Sequence, residues 1–288
     1  MTRRTWPLAA AALTLTFAAP AWAAPGTAKG YFRLHQTRST FSSACAFLLP
    51  DPGGEAAGMT HVVLSDKPLD CEAADRSFDP VEAVKAQVKA QRPAMVTFAV
   101  PTAAAKVERL SGNWPSTDPE DGFSFGGQGT VAVAVNTRAR VQGRYFMPAA
   151  EKFFDKTFQF DFAWDAPVLA GFSTATPLPA DGGPVGAVYQ KYLTALGRGD
   201  VAAMRAVVTA ERGADMNVKG AEAKELLKFL QLFELKTATV VTGAERGDSA
   251  VLYVKGVGFD TSPNTGRVLL QREGGAWKVV KVIMKSPL

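Results

Sequence analysis

The chain is poor in the residues that carry most protein chemistry. Only two histidines occur in 288 residues, His35 and His61, and none follows position 61. Histidine-based catalysis therefore has no partner in the rest of the chain. The two histidines share no spacing such as H-x-x-x-H, so no metal site is expected on them, even with Asp66 or Asp70 nearby. Two cysteines, Cys45 and Cys71, are too few for a disulfide-rich miniprotein or a four-cysteine zinc site. They also lack the C-x-x-C spacing of a redox-active pair. Beyond the first residues, no apolar run approaches the roughly 20 residues that a membrane-spanning helix needs. No cluster of basic and aromatic residues marks a nucleic-acid surface, so nucleic acid is not an expected partner. The charge is mild, with 32 basic and 27 acidic residues and a net +5. At 47% hydrophobic and 20% charged, the chain can build a packed core and is not broadly disordered.

Three written motifs fail on their context. Gly122-Phe123-Ser124-Phe125-Gly126 matches G-x-S-x-G. A serine nucleophile in that pattern needs a helix behind it and a histidine later in the chain. Gly127-Gln128-Gly129 lacks the third glycine of a dinucleotide loop. Asp118-Pro119-Glu120-Asp121-Gly122 lacks the alternation of a calcium loop. No cofactor, no metal and no catalytic set is expected.

What is present begins with an address. Arg3 and Arg4 precede the apolar run Leu8 to Ala19, and Ala21-Trp22-Ala23 supplies a small-x-small cleavage pattern. That order reads as an export signal over residues 1–23, cleaved after Ala23. No cysteine stands at the cleavage point, so neither a lipid anchor nor another stable membrane anchor is expected. The Arg-Arg start and Ala-rich core look bacterial, which points to the periplasm. In that oxidising compartment Cys45 and Cys71 are expected to form a disulfide. It would stabilise the fold by roughly 3–4 kcal/mol in the chain-entropy model.

The length suggests two domains at roughly 150 residues each. Residues 166–183 hold a Pro/Gly-rich stretch that reads as a linker. Residues 25–165 read as a mainly β, α+β domain with an antiparallel sheet and at least one helix. Phe158, Phe160, Phe162 and Trp164 alternate with Gln159, Asp161 and Ala163, the period of a strand with one aromatic face. Val131–Val135 and Arg140–Met147 read as a hairpin. Asp79, Pro80 and Glu82 form a capping-box start for a helix that Pro93 stops. Ser111 to Thr130 reads as a long loop. Its aromatics Trp114, Phe123 and Phe125 are candidates for a partner-binding surface.

Residues 184–288 follow a different plan. Helices are expected from Pro184, from Asp200, and over 221–233. Four strands follow at 236–242, 249–256, 267–272 and 277–284, making three helices and an antiparallel meander. This order resembles the NTF2-like superfamily. The stretch from Tyr189 to Leu196, then Gly199-Asp200-Val201, resembles its opening helix pair. Gly275-Ala276-Trp277-Lys278-Val279 resembles its last strand. The resemblance implies a sheet curved around the first helix to leave a conical pocket, with Tyr189 and Tyr192 as candidate ligand-binding residues. Sheet-face dimers are common in that superfamily, so the resemblance also allows a homodimer. No catalytic residue carries over from the isomerase and cyclase members, since Asp215 and Asp260 fall in expected loops and Asp200 reads as a cap. The expected function is an exported, non-enzymatic protein that binds a small ligand or a periplasmic protein. Two alternatives stand beside it. One is an isomerase-, cyclase- or hydrolase-type enzyme, which requires Asp215, Asp260 or Glu234 in an apolar cavity. The other is an envelope interaction or immunity-type protein.

Overall fold

The computed structural model describes residues 26–50, 58–101, 110–113, 122–125, 129–153 and 156–285. The export leader and Trp114 lie outside the described residues. Among the described residues the fold is mixed α and β, with two largely antiparallel sheets and six α-helices. The first sheet contains β1 Gly26–Leu34, β2 Thr37–Thr40, β3 Ser43–Leu49, β4 Met59–Ser65, β5 Met95–Pro101, β6 Leu110–Asn113, β7 Gly122–Phe125, β8 Thr130–Asn136, β9 Arg140–Phe146, β10 Glu151–Phe153 and β11 Lys156–Leu169. Its order is β7-β6-β5-β4-β3-β1-β11-β9-β8, with β2 on β1 and β10 on β11. The end of β11 runs past the start of β1 and pairs in parallel with β3, Val168 opposite Ala46.

Aromatic packing shows that this sheet curls. Phe98 of β5 meets Trp164 of β11 edge-on, with ring centroids 4.7 Å apart. Four strand spacings separate β5 from β11 along the order above. In a flat sheet that is about 19 Å, so the strands must wrap around a common interior. Phe158, Phe160, Phe162 and Trp164 fill it, as their alternation along β11 requires, together with Phe32, Phe41, Phe98 and Tyr145. The side-chain amide of Asn136 on β8 donates to the Pro101 carbonyl on β5 at 2.8 Å, tying distant strands across the curl. Gly143 stands opposite Trp164 in the register. A Cβ there would lie 2.6 Å from the indole, so the missing side chain makes room for the ring.

The middle strands bury their other face as well. Cys45, Phe47, Val63 and Met95 pack under α1 Cys71–Asp75 and α2 Pro80–Val88 through Ala74, Val84 and Val88. The Cys45–Cys71 disulfide fixes α1 to β3, with Cα atoms 5.5 Å apart. Helix α2 starts at Pro80, as its sequence indicates. Asp79 occupies the N-cap position but makes no capping hydrogen bond; its carboxylate is turned to the other half of the molecule. The expected loop over 111–130 is replaced in part by β6 and β7, which pair antiparallel at the edge of the sheet.

The second sheet is a five-stranded antiparallel meander of β12 Thr176–Pro177, β13 Leu235–Arg246, β14 Ser249–Gly258, β15 Pro263–Glu273 and β16 Ala276–Lys285. Four helices precede its long strands: α3 Gly183–Arg198, α4 Val201–Val207, α5 Ala210–Asp215 and α6 Ala221–Phe233. The sequence reading has three here and misses α5. That helix is six residues long and buries only Gly213, too short to show a period. Helix α3 lays Val185, Tyr189, Tyr192, Leu193 and Leu196 onto Leu252, Val254, Val268, Leu270 and Val279. Asp200 caps α4, accepting from the Ala203 amide at 2.9 Å.

The Pro/Gly stretch is structured. Residues 166–169 finish β11, residues 171–174 form a 3-10 turn, and β12 adds an edge to the second sheet. The back of that sheet buries Ala244, Val251 and Tyr253 against Phe78 and Phe172. Both faces of β14 are therefore covered, which accounts for its unbroken buried run Ala250 to Val254. Two arginines bind this seam. Arg267 reaches Asp79 at 2.8 Å. Arg246 donates to the carbonyls of Asp75, Arg76 and Gly171 and to the Thr174 hydroxyl.

Candidate functional site

Helix α6 ends at Phe233, and the chain turns directly into β13. Glu234 sits at this junction, with its side chain 5% exposed. Its Oε1 accepts from the Tyr192 hydroxyl at 2.7 Å and from Arg212 Nη2 at 3.1 Å. Arg212 Nη2 also donates to the Tyr192 oxygen at 2.8 Å, and Nη1 reaches the Val280 carbonyl at 3.4 Å. Four elements thus converge: α3 through Tyr192, α5 through Arg212, the α6–β13 corner through Glu234, and β16 through its backbone.

Burial pushes the Glu234 carboxyl above its ordinary range, and Arg212 and Tyr192 pull it back without cancelling that effect. Burial, reinforced by the nearby carboxylate, raises the phenols of Tyr189 and Tyr192 well above normal. Both tyrosines stay neutral donors at any physiological pH. The pairing is incomplete, because Glu234 Oε2 is fully buried and has no hydrogen-bond partner.

Beside this cluster lies a cavity of about 710 Å³, open on one side. Phe229, Leu230, Leu232 and Phe233 of α6 and Val282, Ile283 and Met284 of β16 form its apolar walls. Glu234, Arg212, Asp215, Glu211, Asn264 and Lys281 are the polar and charged groups around it. Residues 280–284 of β16 all border it. Successive strand residues face opposite sides, so the cavity must run along the strand's edge. That edge is the end of the sheet order. Helix α6 has no buried residue, and Phe229, Leu232 and Phe233 stay 58%, 78% and 59% exposed at the rim.

The residues singled out from sequence are dispersed. Tyr189 and Tyr192 stack at 6.3 Å and are fully buried beneath the cavity, not on its wall. Tyr192 communicates with the cavity through Glu234. Phe123 and Phe125 belong to β7 in the first sheet, on a different sheet from the cavity; their side chains, like Trp114, lie outside the description. Asp215 ends α5 at the cavity margin. Asp260 is in an exposed turn, where the Ser262 hydroxyl and amide hold its carboxyl below the usual range. Sequence reasoning misses Arg212 and Asn264. Arg212 sits in a helix too short to show a period, and Asn264 reads as a turn residue. Asn264 has no immediate sequence neighbour in the site, whereas Arg212 comes with Glu211 beside it.

Compared with known proteins, the chain matches no family model and no curated sequence. Its function rests on the geometry above.

Proposed function

We propose that the protein is an exported, non-enzymatic binding protein whose residues 184–288 form an NTF2-like domain holding a small molecule. Residues 25–165 act as a second domain that braces the back of that sheet. The observation that carries this reading is the unpartnered Glu234 Oε2 in a residue that lines a cavity of about 710 Å³ with both apolar and polar walls. Leaving a buried acceptor without a donor costs about 1–3 kcal/mol, and more when it is charged. A guest that donates to this oxygen removes the cost, and the apolar walls supply the rest of its affinity. The wrapping of β13–β16 around α3 supports the NTF2-like assignment. Export is supported by the leader sequence and the disulfide, and no described helix is long and apolar enough to cross a membrane. A periplasmic location is part of the proposal.

Native mass spectrometry of the mature chain purified from the envelope tests it. The expected spectrum carries a small-molecule adduct that is weakened in Leu230→Trp, which adds bulk to the cavity wall. A bare polypeptide mass in both proteins would contradict the reading.

A second reading has Glu234 as a general base in an isomerase-type enzyme, and the raised carboxyl favours it. Chromatography and NMR of the guest released after incubation separate the two: a binder returns it unaltered, and an enzyme returns an isomer or other product of changed structure.

A further inference from the structure

The orientation of Asn264 narrows the guest's chemistry. The Ser262 hydroxyl lies 2.6 Å from Asp260 Oδ1, a carboxylate that only accepts, so the single hydroxyl proton is committed there. Asn264 stands 3.2 Å from the same hydroxyl oxygen. With that proton spent, Asn264 must present its NH2 group to Ser262. Its carbonyl Oδ1 is thereby fixed on the other side, where it is buried without a partner. Among the described residues that line the cavity, two side-chain atoms are buried without a partner, Asn264 Oδ1 and Glu234 Oε2, both of them oxygens. The buried donors of Arg212 Nη2 are already spent on Tyr192 and Glu234. Among the described residues, the titratable groups at the wall are the carboxyls of Glu211, Asp215 and Glu234 against Arg212 and Lys281, three acids to two bases.

Resting on the binding function proposed above, we infer that the guest is an amphipathic amine, a protonated primary ammonium on an apolar body. An ammonium group carries three donors and no acceptor, which matches two orphaned acceptors in a site with more acids than bases. Its apolar body lies along Leu230, Phe233, Val282 and Met284. A carboxylate guest would add two acceptors to the two already orphaned and a like charge beside Glu211 and Asp215.

Isothermal titration of the mature chain with n-octylammonium chloride, 1-octanol and sodium octanoate tests this assignment. Octylammonium is expected to bind at least about tenfold more tightly than octanoate, the scale of one charge-assisted hydrogen bond. Glu234→Gln should lower octylammonium affinity about tenfold or more while changing octanol binding little. Asn264→Leu, at a site less central to folding, should weaken octylammonium in the same direction, with circular dichroism confirming the fold of both variants. Octanoate binding as tightly as octylammonium, or both variants retaining full octylammonium affinity, overturns the amine assignment and leaves the binding function standing. If none of the three probes binds, the amine assignment falls together with the cavity as a binding site.

Discussion

Glu234 and Gly143 show how single positions govern the two halves. The Glu234 carboxyl has a folded-state pKa above its ordinary value of 4.5, because burial penalises the charged form. The native state therefore holds this proton more tightly than the unfolded chain does. The stabilisation from that proton is complete below the unfolded pKa and declines as pH rises through the folded one. In Glu234→Gln this slope is absent. The stability of the wild type relative to the variant should thus be greater at pH 4 than at pH 7, as measured by urea titration at both pH values. A constant difference would show that Glu234 is not shifted. Gly143 has a steric role: a methyl group there collides with the Trp164 indole at 2.6 Å. Gly143→Ala should cost about 1–3 kcal/mol, the usual penalty for overpacking a core, seen as a lower urea midpoint with unchanged far-UV dichroism.

Among the elements, α3 and α6 present a contrast. Both have an apolar stripe, yet α3 buries seven residues and α6 none. Helix α6 is held by partly buried Leu226, Leu227 and Leu230 against the second core, and leaves its last turn at the cavity rim. Protection from hydrogen exchange tracks burial and packing, so the amides of α6 should exchange faster than those of α3. Equal protection would place α6 in the cooperative core. Leu232→Ser should change stability by no more than about 0.5 kcal/mol, since that side chain is 78% exposed. The legibility of elements follows from the same physics. Helix α3 and the strands β11 and β15 bury regular faces, so their periods are visible in the residues, while β14 shows as an unbroken apolar run between turn residues. The end of α6 was legible and its exposure was not, because an apolar stripe signals a face without saying what covers it. Strands β6 and β7 lie among glycines and prolines, and α5 is shorter than two turns. The tyrosine pair was visible through its helical spacing, whereas Arg212 and Asn264 join Glu234 only after the chain has folded across 22 and 30 positions of sequence.

At the scale of the molecule, the two sheets are joined by a seam with buried charge. Asp79, at the start of α2, forgoes its capping bond to meet Arg267 of β15 at 2.8 Å, with Lys281 at 3.8 Å. Removing one member of a buried pair leaves the other uncompensated, which costs roughly 3–5 kcal/mol. Arg267→Met should therefore lose about 3 kcal/mol by urea unfolding, and Asp79→Asn in the same chain should recover part of it. Additive losses would show that the pair does not couple the sheets. The seam also covers the back of the second sheet with Phe78 and Phe172. That face is occupied within the chain, so a dimer through it would require the two halves to separate.

Glu234 is buried and its second oxygen has no donor, which is the basis of the proposed binding function. A carbon-13 NMR pH titration of the Glu234 side-chain carboxyl, with and without n-octylammonium, addresses this directly. The predicted result is a midpoint above the ordinary glutamate range in the free protein that moves down when the ammonium binds. A midpoint at the ordinary value, unmoved by the ligand, would contradict it.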